Sequence, residues 1–212
     1  MKYLKYVLIV FLPVFIGCQT DDSTYEVLTK SKIVKKENCK VPVDYPQIRW
    51  KLDKENYSKI NEMLEKLPEH EYYARNCSSN NPQFAKGKVE VLLKTDSVLC
   101  IEYQTDIEYK KERRTVFHSL VINPNSDASG DFGSIAVEPN DLIPNFDRGK
   151  ILPHIEKYNL DNKDNINLLA YQKGSNYAIT WGITESHFII YPGGEGEWFG
   201  YDKIEIPLSE LR

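Results

Sequence analysis

The densest run of chemistry-bearing side chains is GGEGEWFGY, residues 193 to 201. Glu195 and Glu197 are carboxylates two positions apart, and in an extended segment such residues face the same side. Read as an enzyme, they act as general acid and base on a glycan, with Trp198 as a stacking platform. Against that reading, Gly-x-Glu-Gly-Glu in a turn has too much freedom to hold a catalytic geometry, and no nucleophile or oxyanion element accompanies it. Read as a binding loop, Trp198, Phe199 and Tyr201 are aromatic anchors of the kind common at interfaces. Glu195 and Glu197 then supply charged contacts beside those anchors. A plainer alternative folds Trp198 and Phe199 back onto a sheet as core and leaves the glycines to make the turn. The binding reading is carried forward, and no catalytic residue is assigned.

The other reactive side chains are thinly spread. Ser186 and His187 are adjacent, but a triad needs a third member that nothing in the sequence points to. His70, His118, His154 and His187 stand singly and no CxxC occurs, so neither a metal site nor a cofactor is expected. Cys39, Cys77 and Cys100 follow a fourth cysteine, Cys18. An oxidising compartment allows one disulfide with a thiol left over. Cys77 and Cys100 are the candidate pair, because a cysteine flanking a loop can reach a neighbouring strand while Cys39 lies near the start of the domain.

The corner at 193–201 must be held by strands. Tyr177, Ile179 and Trp181 alternate with Ala178, Thr180 and Gly182; His187 to Tyr191 and Ile204 to Ile206 follow on either side of the Gly-rich run. Period-2 patterning with aromatic and β-branched residues predicts antiparallel strands. A strand ribbon alone is marginal, so earlier segments must cover it. Cys39 to Trp50 alternates too, its prolines suggesting an edge strand. Lys54 to Leu67 places Tyr57, Ile60, Met63, Leu64 and Leu67 at helical spacing and is expected to stop at Pro68. Lys88 to Leu93 and Val98 to Asp106 predict a hairpin around Thr95 and Asp96, and Arg113 to Ile122 a further strand. Gly133 to Ile143 reads as a short strand and a helix start capped by Asp141. Lys150 to Tyr158 reads as a short helix with Pro153 in its first turn. The pattern predicts an α+β fold, an antiparallel sheet with helices packed on one face.

The amino terminus looks like an address. Lys2 and Lys5 precede an apolar run from Tyr6 to Ile16, too short to span a membrane and of the form of a secretory signal. Its end, Phe15-Ile16-Gly17-Cys18, resembles a bacterial lipoprotein box, which implies acylation of Cys18; the alternative is an ordinary signal with an incidental cysteine. Asp21 and Asp22 resemble the surface-export signal of lipoproteins in the Bacteroidetes group. The expected organisation is a signal peptide over 1–17, a flexible lipid tether over 18–37 and a module over 38–212, with halves at about 38–125 and 126–212. The chain has 27 Lys and Arg against 31 Asp and Glu; without Lys2 and Lys5 the balance is 25 against 31, a net charge of −6. That balance disfavours nucleic acid and would steer a cationic protein, although mild acidity also simply keeps a secreted protein soluble.

The order of the pieces is recognisable. Val43 to Ile48 leads into a helix containing Lys59-Ile60-Asn61. Gly133 to Val137 follows with Asp141-Leu142, and Ile183 to Leu211 carries Tyr191, Gly200 and Ile204-Glu205-Ile206-Pro207. Together these resemble the RsiV-like extracytoplasmic module, shared by a lysozyme-sensing anti-sigma factor and the N-terminal part of some peptidoglycan deacetylases. The resemblance runs from about Lys40 to Arg212. It implies a helix on a mixed antiparallel sheet and a protein-binding role, the sensor's module gripping lysozyme. The family usually has a Gly-rich approach to a histidine in the central strand; here Arg113 to Phe117 precede His118, which departs from that pattern and leaves a role for His118 open. The expectation is a lipid-anchored cell-envelope module, periplasmic or surface-exposed on the outer membrane, that binds a cationic lysozyme-like hydrolase or toxin. An immunity or structural protein of the envelope remains the alternative.

Overall fold

The computed structural model describes residues 24–36, 39–51, 57–70, 77–78, 81–82, 85–109, 112–126, 134–162, 180–192 and 202–212. The fold is α+β. Five strands form the main sheet: β1 (Tyr25–Lys36), β2 (Cys39–Trp50), β5 (Ala85–Lys94), β6 (Leu99–Tyr109) and β7 (Glu112–Ile122), in the order β1-β2-β5-β6-β7. Between β2 and β5 come helix α1 (Tyr57–His70) and a two-stranded ribbon, β3 (Cys77–Ser78) with β4 (Asn81–Pro82). The second half contributes α2 (Pro139–Leu142), a 3-10 turn (Arg148–Lys150), α3 (Leu152–Asn162), β8 (Thr180–Ile183), β9 (His187–Tyr191), β10 (Ile204–Pro207) and α4 (Leu208–Leu211). Its three strands pair antiparallel in the order β10-β9-β8.

The main sheet is covered on both faces. On one, Leu99, Ile101, Tyr103 and Ile122 pack with Ile60 and Leu64 of α1 and with Tyr25 and Ile48. On the other, Val98, Cys100 and Val121 meet Ile183, Phe188 and Ile190 of the second sheet, Ile151 just before α3 and Ile155 within it. Each large apolar side chain so removed from water stabilises the fold by roughly 1.5–3 kcal/mol. Both clusters therefore run across the expected boundary between the two halves, the first of them through Ile135.

The polar stretch expected to be a tether is, from Tyr25 onward, a strand. Its Tyr, Val, Thr and Ile residues favour extended backbone, and Tyr25 is fully buried with its hydroxyl donating to the Thr95 carbonyl at 2.7 Å. The lysines that hid the pattern are typical of an edge strand. All twelve residues of β1 pair with β2, so β2 is not the edge its prolines suggested. The backbone of Ile48 nevertheless points away from β1, its N–H and C=O bound by the Asn61 side-chain amide at 2.7 and 2.8 Å. Pro42 and Pro46 share that parity, so their missing donors lie on the side where β2 meets β5 only at Val43 and Gly87, in parallel. Asn61 replaces a neighbouring strand there and docks α1 against the sheet.

Two helix boundaries also differ from expectation. Helix α1 continues through Pro68 to His70, a terminal-turn difference that proline tolerates when few hydrogen bonds follow. In α2 the N-cap is Glu138, not Asp141; Asp141 sits at the third helical position and accepts the Glu138 N–H at 3.1 Å, with Pro139 at the first.

Candidate functional site

The face of β6 that meets the second sheet is apolar at Cys100 and polar from Glu102 onward. Glu102 is fully buried. The Tyr191 hydroxyl donates to its Oε2 at 2.6 Å, and Lys203 Nζ and Gln104 Nε2 each donate to its Oε1 at 2.7 Å. Gln104 also reaches Glu90 Oε2 at 3.2 Å, linking the buried carboxylate to an exposed one on β5. A buried charge persists only when paired and hydrogen-bonded, and Glu102 has both. The Lys203 ammonium lies 4.7 Å from the Phe117 ring centroid, and Phe117 stacks on Tyr191 with centroids 6.2 Å apart. Burial first, and then the Glu102 carboxylate, push the Tyr191 phenol above its ordinary range, which keeps it a hydrogen-bond donor.

The second sheet is built to let Tyr191 reach Glu102. Tyr191 ends β9 opposite Thr180 of β8, and a Cβ at Gly182 would stand 2.9 Å from its hydroxyl oxygen. Only glycine leaves that path open. Ser119 of β7, opposite Glu102 on the main sheet, donates to the Trp181 carbonyl and ties the two sheets together beside the cluster.

Tyr191 and Lys203 flank the corner singled out from the sequence, one before it and one after it. Glu195, Glu197, Trp198, Phe199 and Tyr201 themselves lie outside the described residues, as does Cys18. The chain enters and leaves that corner through two side chains bound to the same carboxylate. Glu102 is closed off from solvent and its oxygens are occupied, so the cluster ties the two ends of the corner to one buried carboxylate.

The remaining sequence candidates separate. Cys100 is a free, buried thiol, so the expected bridge to Cys77 is not formed. Its sulfur lies in the core between the sheets and accepts the Ile183 N–H at 3.3 Å, while the Cys77 and Cys39 side chains lie outside the described residues. Burial pushes the Cys100 thiol up to about 12. Ser186 Oγ and His187 Nδ1 are 2.8 Å apart, but the pair belongs to the β8–β9 turn, where Thr184 Oγ1 accepts the N–H groups of Ser186 and His187. No carboxylate among the described residues is hydrogen-bonded to His187. His118 pairs across strands with Tyr103, its ring 6.2 Å away.

Sequence reasoning missed Glu102, Gln104 and Lys203. The alternation Leu99, Ile101, Tyr103 against Cys100, Glu102, Gln104 was visible, but with helices expected on one face only, the polar set reads as solvent-facing.

No family model and no curated protein matches this chain. Among solved structures it is similar to a DUF3298 family protein from Pseudomonas aeruginosa PAO1, at 11% identity and a TM-score of 0.46, over 90% of this chain and 93% of that one. It is also similar to a member of the DUF3298 family from Bacteroides fragilis, at 9% identity and a TM-score of 0.45, over 87% of this chain and 90% of that one.

Proposed function

We propose that the protein is a lipid-anchored binding module of the bacterial cell envelope, periplasmic or surface-exposed on the outer membrane. Its recognition surface is the corner at 193–201 and its partner is a cationic cell-wall hydrolase of the lysozyme type. The observation that carries this reading is the double attachment of the corner to Glu102 through Tyr191 and Lys203. Binding loops gain affinity when their ends are fixed in advance, because less chain entropy is lost on association. The net charge of −6 without Lys2 and Lys5 suits a cationic partner, and the RsiV-like motifs imply protein binding. Glu195 and Glu197 meet the basic rim of the partner's cleft and Trp198 supplies the anchor. The reading assigns no catalytic step, since glycines surround both carboxylates. Cys18 carries the anchor, and membrane-extracted protein is expected to have the mass of the chain from Cys18 onward plus its acyl groups, whereas a Cys18→Ala form carries no acyl groups and keeps the signal.

The test is capture of lysozymes by the chain from Gln19 onward, which holds every described element. Capture is expected to weaken as salt rises and to fall at least tenfold in Glu195→Ala/Trp198→Ala. A wild type that captures no lysozyme, or a double variant that binds equally well with the same salt dependence, refutes the assignment.

A further inference from the structure

The far end of the β1–β2 hairpin has a charge opposite to the rest of the molecule. Residues 30 to 40 hold Lys30, Lys32, Lys35, Lys36 and Lys40 against the single carboxylate of Glu37, in a chain of net charge −4. The register places Ile33 opposite Pro42 and Lys35 opposite Lys40. Directly opposed residues share a face of the ribbon, and all four are exposed, Ile33 at 60%. The other face is different: Val43 is buried, Val34 is half-buried, and Lys32 donates to the Glu65 carbonyl of α1 with its ammonium 5.4 Å from the Tyr45 ring centroid. One face of the hairpin is thus packed, and the other presents two apolar side chains beside two cations at its far end, with Asp44, bound by the Ser31 hydroxyl, on the next rung inward.

Edge protection does not account for this composition. Lysine on an edge strand discourages pairing with other chains, but Lys40 is on the inner strand β2. Opposed like charges destabilise a ladder, and no ion pair holds Lys35 or Lys40 among the described residues. An exposed isoleucine beside them defeats the purpose of a solubilising edge. Apolar side chains bordered by lysine are the composition of a surface that lies on anionic lipid, the apolar part entering the acyl boundary and the ammonium groups meeting phosphate.

The position in the chain agrees. Thr24, where the described fold begins, follows Cys18 by six residues, a reach of at most about 21 Å. β1 is 12 residues long, about 40 Å, so a hairpin lying along the bilayer brings its far end onto the headgroups. We infer that the exposed face of Ile33, Lys35, Lys40 and Pro42 is a second membrane contact that docks on a surface of anionic phospholipid and lays the module along the bilayer beside its anchor. The placement rests on acylation of Cys18; the contact itself does not.

Co-sedimentation of the chain from Gln19 onward with vesicles tests the contact without the lipid anchor. The protein is expected to sediment with vesicles of mixed phosphatidylglycerol and phosphatidylcholine, to remain in solution with phosphatidylcholine alone, and to be released by raised salt. Each lysine near such a surface strengthens binding about fivefold, so Lys35→Glu/Lys40→Glu is expected to weaken it at least about twentyfold. Lys35→Gln/Lys40→Gln acts in the same direction without reversing charge, and Ile33→Asp weakens binding severalfold. Failure to bind anionic vesicles, unchanged binding by the double variants, or equal affinity for soluble polyphosphate overturns the inference. Glu195→Ala/Trp198→Ala should bind vesicles like the wild type, so a negative result here leaves the lysozyme reading untouched.

Discussion

The two faces of β6 do different work with the same backbone. Toward α1, Leu99, Ile101 and Tyr103 join a cluster with Ile60, Leu64 and Ile122. Toward the second sheet, Cys100 is packed but Glu102 carries three donors from Tyr191, Lys203 and Gln104. The helical side is held by burial, which is non-directional and tolerates small shifts. The polar side is held by directed bonds, which fix where the chain enters and leaves 193–201. Stability and placement are thus divided between opposite faces of one strand.

The strongest way to break the helical side is Leu64→Ala, expected to cost about 3 kcal/mol through lost burial and the cavity left behind. Urea unfolding would show it, while lysozyme capture by the folded protein should stay unchanged. An equal loss of capture would mean that the two faces are not separate in function.

Glu102→Gln attacks the other face while keeping its shape. The neutral amide opposes Lys203 with no charge and brings an N–H group among three donors, so about 2 kcal/mol is expected. That figure allows for the side chain of Lys203 being 26% exposed. Capture should fall more than the unfolding midpoint suggests, because the corner loses its fixed ends. A stable variant with wild-type capture would reduce the Glu102 cluster to packing alone.

The most gradual effect is a slope with pH. The Cys100 thiol is pushed from the ordinary thiol range near 9 up to about 12 by burial, and Tyr191 moves in the same direction. Between those values the unfolded chain has lost the thiol proton that the folded chain keeps. Folding stability is therefore intact below about pH 9 and falls as pH rises, by at most about 1.4 kcal/mol per pH unit for each group. Urea midpoints at increasing alkaline pH would measure the slope, and Cys100→Ala should flatten part of it. An unchanged slope in that variant would place the titration elsewhere.

Strands β5, β6, β7, β9 and β10 and helix α1 were legible because period 2 and period 3.6 are written into single segments. The His187–Tyr191 strand is an instance: its apolar and aromatic residues allow little else. Period did not say what lies over each face of β6, because burial depends on segments far off in the chain: Ile60 and Leu64 on one side, and Tyr191 and Lys203 on the other. Glu102 became a fixture only when the second sheet covered it, and β1 became a strand only when β2 lay beside its lysines. Cys100 shows the same limit: the sequence counted its possible partners, but packing placed its sulfur between two sheets and left it a thiol. What the sequence alone determined was local periodicity, net charge and the clustering of carboxylates and aromatics at 193–201. What the tertiary structure decided was which polar groups are buried together, since that pairing is set by distance in space and by the need to satisfy every charge taken out of water.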